Sequence, residues 1–164
     1  EEDYSHTQDD IVDALLVAAG LGRIISINAT LAGAEGGCQA ECGSASAMAA
    51  AAAAHLAGGT PEQCLHAAAM ALKGLLGLIC DPVGGLVEVP CSKRNATAAA
   101  NALICADMAM AGIQSFIPFD EVVEAMRSVA DAMPAKFRET ARGGCAATPT
   151  ARDFAAALPP LPPN

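Results

Sequence analysis

Aromatic residues are scarce in this sequence. Its 164 residues include four Phe, one Tyr and no Trp, and much of the 53% that is hydrophobic is alanine. A core built from such small side chains requires that the backbone elements approach one another closely. Alanine is the best helix former and a poor strand residue. The composition therefore argues against a sheet-based fold and predicts an all-α fold.

Basic charge is also scarce. Nine Lys and Arg stand against 18 Asp and Glu, which gives a net charge of −9, and the basic residues cluster only at Lys93-Arg94. This balance argues against nucleic-acid partners and anionic membrane surfaces. A long apolar run is missing as well, because the alanine-rich residues 44–56 fall short of the ~20 residues that a membrane span needs. We expect neither a nucleic-acid partner nor a membrane location.

The cysteine content indicates the compartment. The number of cysteines is odd, and we find no secretory signal at the start of the chain. We therefore expect a reducing cytoplasm in which some thiols are buried and some bind metal. The seven cysteines are Cys38, Cys42, Cys64, Cys80, Cys91, Cys105 and Cys145.

Turn residues divide the chain into helical segments. We predict a compact bundle of about five main helices, at about residues 7–25, 39–57, 61–76, 92–111 and 120–133. Residues 44–56 carry alanine on every face, which is typical of a buried helix at the centre of a bundle. Residues 134–142 are expected to form a further short helix. We assign residues 1–152 to one domain and expect the proline-rich residues 153–164 to be disordered.

Three cysteines lie where predicted helices meet loops. Cys38 precedes a helix, Cys80 ends one, and Cys91 closes a loop of Pro and Gly residues directly before the next helix. The partial positive charge of a helix N-terminus lowers thiol pKa and stabilises anions. Spacing alone leaves open whether these thiols bind metal. A structural zinc site requires four protein ligands. Three thiolates around a [4Fe–4S] cluster instead leave one iron without a protein ligand.

The other cysteines have different settings. Cys64 and Cys105 fall within predicted helices, as small buried apolar groups do. Cys42 lies one turn beyond Cys38 and is interpreted, like Cys64 and Cys105, as a small buried apolar group. Cys145 lies in a glycine-rich loop, and its role is left open.

Three sequence strings carry a family resemblance. They are EGGCQAECGS around Cys38, CDPVGGLVEVPCSKRN from Cys80 to Asn95, and ETARGG from Glu139. Over residues 9–152 the chain resembles the alpha region of bacterial iron–sulfur-dependent L-serine dehydratases. The resemblance implies that Cys38, Cys80 and Cys91 hold a [4Fe–4S] cluster. It also implies conversion of L-serine to pyruvate and ammonia without pyridoxal phosphate.

The resemblance further implies partners. The family's alpha region extends upstream of the first helix seen here, so this chain is expected to be a fragment that is inactive alone. Single-chain members end in a cysteine that caps the open iron, and residues 153–164 contain none. This matches the two-subunit type, with a separate beta chain. We also expect self-association through the apolar surface that the missing half would cover.

The remaining active-site roles are less defined. His6, His55 and His66 are the only histidines, and none is identified as the base. For substrate contact we predict Asp81, Lys93 and Asn95.

Each of these substrate contacts has an alternative. Asp81 and Asn95 are equally suited to turn formation and helix capping. Lys93 and Arg94 either pair with a substrate carboxylate or, as we favour, are simply solvated.

Two other functions stay open. The first is a related iron–sulfur lyase that acts on L-cysteine, which assays with serine and cysteine would separate. The second is a structural metal or assembly domain whose alanine faces pack against a partner.

Overall fold

The fold is all-α, as predicted. A computed structural model describes residues 6–159, in which no strand forms beyond a single bridge between Cys80 and Arg138. None of the helices in this range has the length and apolar character needed to cross a membrane. The helices in the described range are α1 (Gln8–Asn28), α2 (Gly33–Gly36), α3 (Ser44–Leu56), α4 (Pro61–Lys73), α5 (Cys91–Met110), α6 (Phe119–Ala132) and α7 (Pro149–Ala157).

The alanine-rich helix α3 lies at the centre of the bundle, which confirms its predicted position. It packs against α1, α4 and α5, and Ala47, Ala50 and Ala51 are completely buried. Alanine lets these backbones approach closely. One stripe of α3 at Ala45 and Ala49 is exposed, so the helix is covered on most of its surface but not on every face.

Two helices begin at the capping signals that the sequence shows. Thr7 and Asp10 form a reciprocal capping box at the start of α1, and Thr60 and Gln63 form another at α4. Pro61 occupies the first turn of α4, where its missing N–H costs nothing. These local hydrogen bonds depend on residues three apart, which explains why the sequence predicts them well.

A wide π-helical turn, Gln39–Gly43, leads directly into α3. Gln39 is completely buried, its side-chain amide donates to the Met126 carbonyl at 3.2 Å, and its side-chain oxygen accepts from the Gly77 N–H at 2.8 Å. The Gln39 N–H also donates to the Leu78 carbonyl at 2.9 Å. These bonds hold the segment after Cys38 against the chain that leads to Cys80.

The C-terminal part differs from the sequence prediction. Within residues 134–142, only a short 3₁₀ turn, Ala135–Phe137, forms. The expected disorder from residue 153 is wrong for residues 153–157, which form the end of α7. Pro149 in the first turn favours the helix, and Phe154 and Leu158 lie against Gly84. Residues 160–164 lie outside the described range.

Candidate metal centre

Backbone pairing brings Cys80 next to the C-terminal loop. The Cys80 N–H donates to the Phe137 carbonyl at 2.8 Å, and the Glu139 N–H donates to the Cys80 carbonyl at 2.9 Å. Cys38 lies just before the π-helical turn, which is itself tied to Leu78. Residues far apart in the sequence therefore meet at one place.

Four thiols gather at this place. Cys38, Cys42 and Cys80 belong to one buried cluster with Ala98. The neighbouring Cys38 thiol raises the pKa of both Cys42 and Cys80. Cys91, at the start of α5, is close enough that the charge of Cys38 affects its titration. All four are free cysteines. We name them the thiol cluster.

The pKa values of three of these thiols are raised, whereas the sequence analysis expected helix N-termini to lower thiol pKa. Burial, followed by the charges of the neighbouring Cys38 and Glu41, raises the pKa of Cys42 to about 11. Burial, followed by the charge of Cys38, also raises the pKa of Cys80 and Cys91. Desolvation and the proximity of other thiols therefore outweigh the helix N-terminus at Cys91. Without metal the Cys42, Cys80 and Cys91 thiols hold their protons, and metal binding would have to release them.

The thiol cluster supplies the type of donor that an iron–sulfur cluster takes. Within residues 6–159, His, Cys, Asp and Glu side chains form no group of three or more arranged to hold one metal ion. In an iron–sulfur cluster each thiolate binds a different iron, so the sulfurs surround the cluster and do not share one centre.

A charged network borders the thiol cluster. The Arg94 guanidinium donates to the Asp81 carboxylate at 2.5 Å and to the Ile79 carbonyl at 2.8 Å, and lies 4.0 Å from the Cys38 sulfur. The other Asp81 oxygen accepts from the Cys145 N–H at 2.5 Å. Burial lowers the pKa of Arg94, but the hydrogen bond to Asp81, the charge of Asp81 and the contact with Cys38 together outweigh burial, so the pKa is raised. The expectation of a solvated Arg94 is wrong, because Arg94 pairs with the buried Asp81. The sequence does not reveal this pair, because the two residues are 13 positions apart.

The predicted substrate-contact residues lie around this network in different ways. Asp81 is only 1% exposed, and both its carboxylate oxygens are engaged. Lys93 is exposed, with its ammonium 3.5 Å from the Glu88 carbonyl. Asn95 is exposed and accepts a hydrogen bond from the Cys42 thiol at 3.1 Å. Substrate contact stays a prediction for all three.

The other cysteines and the histidines lie elsewhere in the fold. Cys64 and Cys105 are buried in the main hydrophobic core, as the sequence suggests, and Cys145 is exposed. His66 accepts from the Ser115 N–H at 3.3 Å and lies 3.9 Å from Glu62. These contacts do not identify a base.

Cys42 is the member of the thiol cluster that the sequence analysis did not place with Cys38, Cys80 and Cys91. Its spacing of four from Cys38 places both on one face of a helical turn, and that signal is present in the sequence.

Comparisons with known proteins identify the family. A family model described as "Serine dehydratase alpha chain" matches residues 1–146. The chain belongs to the serine dehydratase alpha-chain family. This confirms the resemblance carried by the strings around Cys38, Cys80 and Glu139.

Several curated relatives of this serine dehydratase alpha-family chain are close in sequence. It is 56% identical over 94% of its length to the probable L-serine dehydratase alpha chain of Bacillus subtilis, and covers 51% of that protein. It is 52% identical over 93% of its length to the L-serine dehydratase alpha chain of Peptoniphilus asaccharolyticus, and covers 54% of it. The corresponding protein of Latilactobacillus sakei is 56% identical over 87% of the chain, which covers 68% of it. The chain thus spans about half the length of the first two relatives.

Proposed function

We propose that this chain is the cluster-binding portion of an L-serine dehydratase, which converts L-serine to pyruvate and ammonia by β-elimination. In this proposal Cys38, Cys80 and Cys91 hold a [4Fe–4S] cluster. The main support is the thiol cluster itself, in which free cysteines from three separate segments gather around Cys38. The names of the relatives support serine as the substrate.

The proposed cluster contributes one chemical function. Held by Cys38, Cys80 and Cys91, a [4Fe–4S] cluster would supply Lewis-acid chemistry at an open iron, which would assist departure of the serine hydroxyl, a poor leaving group. Pyridoxal phosphate has no role in this scheme.

The chain's own residues prepare the site. Arg94 places a positive charge 4.0 Å from the Cys38 sulfur. Asp81 holds the Arg94 guanidinium in place and ties the loop at Cys145 to the same point. The Arg94–Asp81 pair therefore fixes the positions of the segments that carry Cys38, Cys80 and Cys91.

A cleft beside the thiol cluster suits a small substrate. It has a volume of about 220 Å³, and its lining includes Cys42, Ala45, Ala49 and Asn95. Asn95 offers an amide that can donate and accept hydrogen bonds. Lys93, in the first turn of α5, carries a charge that suits the substrate carboxylate. We propose Lys93 and Asn95 as substrate contacts, with Asp81 in support through Arg94.

Partner chains follow from the exposed apolar surface. Leu15 and Leu16 on α1 are each 64% exposed, and Phe116 is 94% exposed. Apolar exposure of this kind marks interaction surfaces. We propose that the rest of the alpha chain and a separate beta chain cover these residues. The free state of all seven cysteines fits the cytoplasm that we propose as the location.

Turnover by the complete enzyme tests this proposal. The complete alpha and beta chains are reconstituted anaerobically with iron and sulfide, and pyruvate formation is measured with L-serine and, separately, with L-cysteine. We expect turnover with L-serine, loss of turnover in Cys38→Ser, and retention in Cys145→Ser. We expect this chain alone to be inactive. Preference for L-cysteine would favour the related lyase, and a reconstituted enzyme without cluster or turnover would favour the assembly domain.

A further inference from the structure

The thiol cluster contains one cysteine more than the proposed ligand set needs. Three cysteines suffice for a cluster with an open iron, yet Cys42 lies in the same buried group as Cys38 and Cys80. Its side chain is only 4% exposed. A fourth thiol at this place requires its own explanation.

The contacts of Cys42 distinguish it from the cysteines outside the cluster. It packs in one buried cluster with Cys38 and Cys80. It also donates a hydrogen bond to the Asn95 side chain at 3.1 Å, which orients the sulfur. By contrast, Cys64 and Cys105 contribute to the main hydrophobic core. Cys42 therefore differs from the buried core cysteines, because it lies beside other thiols and its sulfur is oriented by Asn95.

We propose that Cys42 is the fourth protein ligand of the cluster and occupies the otherwise open iron when no substrate is bound. The proposal rests on the proposed function. A [4Fe–4S] cluster commonly takes four cysteine thiolates, and the chain supplies four at this place. With the cluster present, L-serine would displace Cys42 in a ligand exchange, in which one iron–sulfur bond would be replaced by one iron–oxygen bond to the serine hydroxyl. The released Cys42 thiolate would accept the hydroxyl proton, so the exchange would need neither an oxidant nor a reductant.

The position of Cys42 suits a ligand that can be exchanged. Of the four thiols, Cys42 is the one that lines the small cleft, whose other walls include the exposed Ala45, Ala49 and Asn95. Alanine leaves room there for a small molecule. Cys38 and Cys80 are buried, and Cys80 is also paired through its backbone with the loop at Phe137. A substrate that enters the cleft meets Cys42 and Asn95 together.

Mössbauer spectroscopy of the complete enzyme tests the assignment. The alpha and beta chains are reconstituted anaerobically with ⁵⁷Fe, and spectra are recorded with and without L-serine. Wild type is compared with Cys42→Ala and with Cys145→Ala, which removes an exposed thiol outside the thiol cluster. Circular dichroism verifies that each variant is folded. A second measurement follows iron release after exposure to air.

The proposal predicts a distinct result for each protein. Wild type and Cys145→Ala show four irons with all-sulfur coordination, and L-serine shifts one of the four. Cys42→Ala shows one distinct iron before L-serine is added. It also loses iron in air at least about tenfold faster, the scale on which even outer-shell changes alter metal affinity.

Other results separate the two proposals. One distinct iron in wild type before serine, unchanged in Cys42→Ala, overturns the role of Cys42 and leaves the proposed function intact. A wild-type enzyme that assembles no cluster overturns the proposed function itself. If Cys42→Ala does not fold, the wild-type spectra decide, because four alike irons that become three and one with L-serine still require a displaced fourth ligand.

Discussion

Arg94 and Asp81 form a charged hydrogen bond of 2.5 Å that joins the start of α5 to the turn after Cys80. Asp81 is 1% exposed, and its other oxygen accepts from the Cys145 N–H. Arg94 also donates to the Ile79 carbonyl and approaches the Cys38 sulfur. One ion pair therefore connects three segments around the thiol cluster.

Removing the charge of Arg94 should destabilise the fold strongly. Arg94→Gln leaves the buried Asp81 carboxylate without its counter-ion, and breaking a buried pair in this way costs about 3 kcal/mol or more. Urea denaturation measures the change in the free energy of unfolding. Arg127→Gln is the matched control, because Arg127 pairs with Asp131 on the surface of α6 and such pairs contribute at most about 1 kcal/mol. Equal losses in the two variants would contradict the role given to the Arg94–Asp81 pair.

The loop at Gly144 should tolerate no side chain. Gly144 has φ of +58°, and a Cβ at this position would collide with the Asp81 carboxylate. Gly112 has φ of +86°, but a Cβ there meets nothing within 4 Å. The positive φ alone costs about 1–2 kcal/mol in Gly112→Ala. Gly144→Ala should cost about 1–3 kcal/mol more because of overpacking, and indistinguishable urea midpoints would show that Asp81 can move freely.

Local signals explain most of what the sequence predicts correctly. The capping boxes at Thr7 and Thr60 are set by residues three apart, and the alanine run identifies the central helix by composition alone. The end of α4 is less well predicted: the helix stops at Lys73, whereas the apolar pattern continues to Leu76. Side-chain spacing does not define where a helix gives way to turns.

Long-range contacts account for what the sequence does not reveal. The partner of Arg94 depends on how α5 packs against the turn at Asp81, and no local pattern encodes it. The helix at residues 153–157 was missed because proline content dominated the prediction, although Pro149 lies in its first turn. Cys42 was interpreted as a small buried apolar group, like Cys64 and Cys105, because it lies one turn beyond Cys38 within a predicted helix. Its proximity to Cys80 and Cys91 depends on the tertiary fold.

The apolar face of α1 should drive association. Leu15→Glu with Leu16→Glu replaces two exposed leucines with charges, which should leave the fold intact and reduce self-association of the isolated chain. Sedimentation velocity measures the oligomeric state, and circular dichroism verifies the helix content. Ser26→Glu with Ser128→Glu is the control, since it adds the same charge at exposed polar positions. If both double variants dissociate alike, net charge and not the apolar face governs assembly.

Iron and sulfide content of the anaerobically reconstituted complete enzyme tests the central claim most directly. We predict about four irons and four sulfides per alpha chain, with loss of most of both in Cys38→Ser, Cys80→Ser and Cys91→Ser. Cys64→Ser and Cys145→Ser should retain them, because Cys64 lies in the hydrophobic core and Cys145 is exposed. An enzyme that binds no iron, or one whose iron content is unchanged when Cys38, Cys80 and Cys91 are replaced together, would contradict the account.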